Sequence, residues 1–439
     1  MSIKFLSLQA MAFRLTIIFL LLFHTFFCIG QVHLHDTIST KDQQDTLGST
    51  NNLYDIVDGF RDINPFKKKS TKEKNKKRSP ISYLPNLNYN PSIGGQIGIK
   101  AVGGIILGNK PNTTMSVGAA ALSATTRGII VGYFMHDIYT PGNTYNIKGG
   151  AMIAKAVGLD YGMGIGGTLE NPTREEEIMN NPDRTRFVNK FMAYSINERI
   201  YKQLFPGAFI GLGVFFELKR DLSTVGSEEN MSPNEIYSRW NDYNPTKVNN
   251  NGLMLNMQYM TRDNPNSAYK GYYVDLVLRM NQSWMGSEHN AFQLQTDLRK
   301  YWQLSTDRPN HVLAFWNFGS YNLGGSLPYI DLPGTGKDPY ARSGRGYTMG
   351  YFKGNSYFYS EVEYRYPILR NQFLSGVVFA NVQTTNDQMG TKLFETWQPA
   401  VGTGLRLLFN KATRTNLCID YAFGRFNQHG LFLGLNEAF

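Results

Sequence analysis

Past residue 30 this 439-residue chain has no uncharged apolar run of 18 residues, so helical membrane spans are excluded. It has two cysteines, and only Cys418 lies beyond that point, which leaves no intramolecular disulfide there. A lone thiol of this kind reads as a small buried residue. Charge is sparse as well: 18% of the residues are Asp, Glu, Lys or Arg, low for a soluble protein. Histidines are scattered, and only His33 and His35 stand close together, in a polar stretch. No metal site and no cofactor are expected. Gly334-Thr335-Gly336-Lys337-Asp338 resembles the end of a phosphate-binding loop but fails as one. Asp331 occupies the first glycine position, and Asp338 replaces the hydroxyl that would hold magnesium. Nothing nominates a nucleophile with its base, so no enzymatic role is expected.

What is present favours β structure: 43 glycines and 13% aromatics. Residues 1–30 read as an export signal, with Lys4 and Arg14 ahead of or within the apolar run Leu15 to Phe27. Small residues follow at Cys28-Ile29-Gly30, and cleavage is expected before Gln31. Met11 is an alternative start, and Phe26 and Phe27 depart from a lipoprotein anchor motif.

Residues 31–80 read as a periplasmic tail. Its first part is polar, with few residues able to build a core. Leu53, Ile56, Val57 and Phe60 then fall at i, i+3, i+4 and i+7, one face of a short helix suited to docking on the barrel mouth or on a partner. A basic run from Lys67 to Arg78 follows, opening with Lys67, Lys68 and Lys69. It carries eight basic residues against one glutamate, a net +7 of the chain's +10. One reading of the run is a solvated linker; the other is attraction to anionic headgroups or an acidic protein face. Nucleic acid is not an expected partner.

Residues 81–439 read as an all-β transmembrane antiparallel β-barrel of about sixteen strands, with candidate strands from residue 94 onward. Segments of roughly ten alternating residues are separated by Gly, Pro, Asn and Asp turns. In "YYVDLVLRMN", Tyr272, Val274, Leu276, Leu278 and Met280 face lipid while Asp275, Arg279 and Asn281 face inward. A charge on the lipid face at mid-depth costs about 2–4 kcal/mol, which is why a barrel sorts them this way. A break near residue 155 splits 143–154 from 156–166 in this count, and fourteen strands is the alternative. The outer membrane of a Gram-negative bacterium is the expected location, and its lipids the first partner.

One long loop carries Gly344-Arg345-Gly346-Tyr347, directly ahead of the strand "YFYSEVEYRYP". Glu361 and Glu363 lie on the lumen face of that strand, and a guanidinium is a planar five-donor fork suited to carboxylates. The arrangement suggests a loop folded into the lumen and locked there by Arg345. The alternative is an exposed loop with a solvated arginine.

At these residues the chain resembles the BamA/TamA-type superfamily of outer-membrane assembly and translocation barrels, whose Arg-Gly-Phe/Tyr motif lies on the sixth external loop of a sixteen-stranded barrel. "GTGLRLLF", "LCIDYAFGRF" and "HGLFLGLNEAF" resemble that family's last three strands. The resemblance implies that Arg345 anchors to Glu363 and to an acidic residue one strand later. There Phe379 matches the family aromatic, but Asn381 stands where the Asp belongs. A hydrogen bond to Asn381 lacks charge assistance, leaving Glu361 to compensate. Residues 31–80 are too short and polar for a polypeptide-transport-associated domain of the family's kind. The function implied is participation in outer-membrane protein assembly or translocation as an accessory or subunit of a larger machine. Barrel-assembly machinery and unfolded outer-membrane proteins would be the partners. The seam between first and last strands, near Gly94–Leu107 and Gly430–Phe439 with Leu431, Leu433, Leu435 and Phe439, would admit a client strand. A passive channel or structural barrel is the alternative.

Overall fold

The computed structural model describes residues 53–56, 58, 59, 81–109, 113–167, 169–181, 185–225, 231–411 and 413–439. The expected signal segment, Val57, Phe60, Lys67, Lys68, Lys69 and the rest of the basic run lie outside the described residues.

The strands are β1 (Ile81–Pro85), β2 (Asn88–Asn90), β3 (Gly94–Ile105), β4 (Ser116–Thr125), β5 (Ile130–Tyr139) and β6 (Tyr145–Asp160). After them come β7 (Phe187–Phe205), β8 (Ala208–Val225), β9 (Val248–Met260), β10 (Gly271–Asn281), β11 (Ala291–Gln303) and β12 (Val312–Gly325). The set ends with β13 (Tyr357–Pro367), β14 (Leu374–Thr385), β15 (Gln398–Asn410), β16 (Thr415–Gly424) and β17 (His429–Leu435). Each pairs antiparallel with its sequence neighbour from β2 to β17, and β17 returns to β2, closing a barrel. Because β1 and β2 both lie against β3, they are two pieces of one broken strand, and the barrel has sixteen.

The expected total is right, but two of its parts are not. β6 runs unbroken through residue 155 and pairs with β7 from Tyr145↔Lys202 to Asp160↔Phe187. None of its glycines takes a positive φ, so nothing turns the chain there. The missing strand is upstream, at residues 81–90, where Pro85 interrupts the pattern. Proline is tolerated at a strand edge because it need not donate to a second neighbour.

Connections after β7, β11, β13 and β15 are short and form one rim. Those after β6, β8 and β12 are long and form the other. Helices α1 (Arg174–Asn180) and α2 (Pro233–Trp240) stand in two of the long loops. Both open on capping boxes, Thr173 with Glu176 and Ser232 with Glu235, which satisfy the first free backbone N–H groups. Met179 of α1 and Ile236 and Tyr237 of α2 bury with Leu327, Tyr329 and Leu332 of the β12–β13 loop. The long loops thus share an apolar core of their own over that end of the barrel.

At the short-turn rim, Tyr54 N donates to Asn371 O (3.2 Å) in the β13–β14 turn, and its ring packs edge-on against Phe373. Lys411, in the β15–β16 turn, donates its backbone N–H to Asp55 (3.1 Å) and its ammonium to Asp58 (2.7 Å). Leu53 and Ile56 are half-buried beside them.

Candidate functional site: a locked loop beside a thin seam

The lumen face of β13 presents Tyr357, Tyr359, Glu361, Glu363 and Arg365, all buried. The β12–β13 loop folds down onto them. Two glycines make this possible. Gly344 and Gly346 have φ of 77° and 103°, and a Cβ on Gly346 would lie 2.7 Å from Ala400 Cβ. Between them Arg345 is buried and bonded on every side. Its Nη2 donates to Glu361 Oε1 and to Glu363 Oε2 (2.5 Å), its Nε to Glu361 Oε2 (3.3 Å), and its Nη1 to Asp420 Oδ2 of β16 (2.7 Å). The guanidinium lies over the Phe379 ring at 3.6 Å. Tyr347 completes the insertion. Its hydroxyl donates to Pro399 O (2.6 Å) and accepts from Arg425 N (2.9 Å).

Asn381 takes a different place from the one the resemblance implies. Its amide donates to the Arg345 carbonyl (3.0 Å) and faces Glu361 Oε2 at 3.4 Å, so it holds the loop backbone rather than accepting from the guanidinium. The third carboxylate on Arg345 is Asp420, three strands beyond Glu363. Strand alternation carries that signal. Cys418, Asp420 and Ala422 are buried on the lumen side, between the outward Ile419, Tyr421 and Phe423.

The network extends further than the motif. Arg365 Nε pairs with Glu363 Oε1 (2.5 Å), and Arg406 of β15 bridges Asp420 and Glu437, the latter at 2.6 Å. Three guanidiniums (Arg345, Arg365, Arg406) therefore face four carboxylates (Glu361, Glu363, Asp420, Glu437) in one buried cluster. Burial of charge is costly unless it is paired this completely.

Glu437 belongs to the final residues of the sequence, which leave the wall. Leu431, Leu433 and Leu435 stay on β17, but Phe439 is not part of a seam strand. It turns into the lumen and packs on Trp316 and Tyr301, and its carbonyl accepts from Arg365 Nη2 (3.0 Å). Arg342, in the inserted loop, donates to the Glu437 carbonyl and lies 3.4 Å from Leu435 O. Loop and tail are thus held by one another.

The seam is correspondingly thin and lies one strand earlier than Gly94–Leu107. β17 meets β2 through a single register pair, Leu433↔Tyr89. Continued straight, that register would lay Asn436–Phe439 beside Tyr83–Asn86. With the tail drawn inward, Tyr83–Pro85 pair with β3 on one side and carry no second strand among the described residues. Tyr83 is 70% exposed.

Nearer the long-loop end, Lys353 and Asp160 form a buried pair at 2.8 Å, with Tyr329 OH also on Asp160 (2.9 Å). Lys337 donates to the Ile330 and Leu332 carbonyls, both at 2.9 Å. Burial, reinforced by the Lys353 charge, pulls its ammonium down to about 7. Among the described residues no group of His, Cys, Asp and Glu could hold a metal ion.

Residues 214–430 match the model of the Omp85 superfamily domain. No curated protein matches the chain. Among solved structures, a BamA from Haemophilus ducreyi lacking POTRA domains 1–3 is similar at a TM-score of 0.57 and 13% identity, over 82% of this chain and 71% of that one. CdiB from Acinetobacter baumannii (TM-score 0.48, 13% identity) and from Escherichia coli (0.49, 7%) are each matched over 82% of this chain. They are covered over 60% and 63% of their own lengths. A closed sixteen-stranded barrel whose β12–β13 loop is locked inside, and a family match spanning that loop, lead to one assignment: this chain is a transmembrane β-barrel whose residues 214–430 match the Omp85 superfamily domain.

Proposed function

We propose that the protein takes part in outer-membrane protein assembly or translocation, as an accessory or subunit of a larger machine rather than as an enzyme, with residues 31–80 in the periplasm. The observation that carries this reading is the strand edge at Tyr83–Pro85, which pairs with no second strand among the described residues, the tail being held in the lumen. An exposed edge of backbone N–H and C=O groups is a template for another strand, and most proteins cover it. Here it lies beside the thinnest pairing in the barrel. The segment around Tyr54, clipped to two short turns, is the reading's handle for a partner at the same rim.

The test is a photo-crosslinking residue at Tyr83, with the same residue at Leu276 on the outward face of β10 as control. Adducts to unfolded barrel proteins or to assembly machinery at Tyr83, and not at Leu276, are expected. Equal labelling at the two positions, or lipid adducts alone, would overturn the reading.

A further inference from the structure

Inside the apolar band, the outward faces of the described strands carry one acid–base pair. Register places Gly103, Gly118, His136, Gly149, Glu198 and Val214 in one row around the outside of β3–β8. His136 Nε2 and Glu198 Oε2 meet at 3.2 Å across Gly149. The glycine is needed there, since a Cβ at 149 would lie 2.2 Å from that Oε2. The rows on either side are apolar: Ile138, Ile147, Ile200 and Leu212 below, Phe134, Ala151, Ile196 and Phe216 above. The outward lysines of this wall, Lys155, Lys190 and Lys202, stand toward the rims, where a long side chain reaches the interface. Neither His136 nor Glu198 has that reach. Among the described strand residues, Glu198 is the only outward carboxylate apart from Asp221, at the bulged long-loop end of β8. Its side chain is 37% exposed, that of His136 15%.

Ionisable groups facing lipid are unfavourable; in membrane proteins they pair with one another, as these two do, and face something other than lipid. The pair itself says what covers it. Two copies in one membrane share the same orientation, so a two-fold axis relating them must run along the membrane normal. Such an axis keeps depth and exchanges left with right. It therefore sets His136 of one copy opposite Glu198 of the other, and the reverse. A cation and an anion whose tips lie 3.2 Å apart, and so at nearly one depth, are self-complementary under that operation. The wall around it suits close approach, with Gly103, Gly118 and Gly149 in the row and Ala101, Ala120 and Ala151 in the next. A hollow of about 400 Å³ lies immediately above, over Gly132 and Ala151.

We infer that the outer wall of β3–β7 around His136 and Glu198 is a docking face for a second copy of this chain, in an isologous dimer within the membrane. The inference does not rest on the proposed role in protein assembly.

The test is made in native membranes and in lipid nanodiscs. Ala151→Cys lies near the axis and is expected to form a disulfide homodimer on mild oxidation, whereas Leu276→Cys on β10 is not. Cys418 is buried in both and serves as an internal control. By mass photometry, His136→Glu is expected to lower the dimer-to-monomer ratio tenfold or more. The exchange His136→Glu with Glu198→His is expected to restore it, since the swapped pair is still self-complementary. Each variant is first checked for heat-modifiable migration. Monomers at all concentrations, Ala151→Cys linking only to unrelated proteins, or an exchange variant as monomeric as the single one, would each overturn the inference.

Discussion

Replacing Arg345 with alanine gives the sharpest view of what holds the loop. The substitution leaves two guanidiniums against four carboxylates, but the loss is not shared equally. Glu363 keeps Arg365, and Asp420 keeps Arg406. Glu361 keeps only the Tyr359 hydroxyl and the more distant Asn381 amide, with no cation. Breaking a buried pair by removing one partner costs about 3–5 kcal/mol. At 1.4 kcal/mol per factor of ten, that raises the released-loop population roughly a hundredfold to a few thousandfold. The assay is proteinase K nicking within residues 337–350 of the folded barrel, followed by mass spectrometry. Adding Glu361→Gln to Arg345→Ala removes the orphaned charge and is expected to recover about 0.5–3 kcal/mol, the usual size of coupling between contacting groups. The reasoning is refuted if Arg345→Ala nicks no faster than wild type, or if the double variant nicks as fast as the single one.

Gly346→Ala attacks the same insertion through the backbone. With φ at 103° and Ala400 Cβ 2.7 Å away, a methyl has no room, and loop nicking should rise as if about 2 kcal/mol or more had been lost. Arg342→Ala removes the loop's grip on the tail. Hydrogen exchange at residues 436–439 is expected to speed up by about tenfold or more, since a hydrogen bond from a charged donor contributes about 1.5–3 kcal/mol. For Lys337, seating holds the ammonium near 7 while the free loop titrates near its ordinary 10.5. Between those values the released loop binds more protons, so seating strengthens as pH rises through that window, by at most about 1.4 kcal/mol per unit, and is flat below 7. Nicking rates from pH 6 to 10 should show this slope, and Lys337→Met should abolish it. Planar-bilayer conductance separates the channel alternative: the locked barrel should pass little current and Arg345→Ala more.

Much of the architecture could be read from residue order, because a barrel wall imposes a period of two on every strand. That period put Glu361 and Glu363 on the lumen side. It could not settle where a strand ends when no turn residue marks the place. The alternation of β6 weakens among small residues, which hides its continuity, and Pro85 breaks the pattern of 81–90 at an edge that tolerates it. Asp420 lay within reach of the same period, since Cys418, Asp420 and Ala422 alternate inward, but the motif directed attention to position 381. The inward turn of Asn436–Phe439 had no local signal. It depends on Arg342, Arg365 and Arg406 meeting those residues across the lumen, which is a property of the closed barrel. The tail was legible in part. An apolar face was expected, yet the fixed contacts among the described residues are polar and aromatic, through Tyr54, Asp55 and Asp58.

The ionic cluster also has a bearing on how the chain reaches its folded form. Every group in it, from Arg342 to Phe439, lies within the last hundred residues of the sequence. Closing those loops is entropically cheaper than closing the ring, whose two ends lie some 340 residues apart. The clip from Tyr54 to Asn371 spans a comparable distance. An assembly order follows in which β13–β17 and the inserted loop form first as a hydrogen-bonded sheet with its buried charges paired, and the thin β2–β17 closure forms last. Pulse-labelled hydrogen exchange during refolding into vesicles would show it, with protection at 357–424 preceding that at 94–139. The reverse order would rule this out. A closure formed last and through one register pair is also the first that can reopen, so the thinness of the seam and the lateness of its formation have a single origin in where the charges lie along the chain.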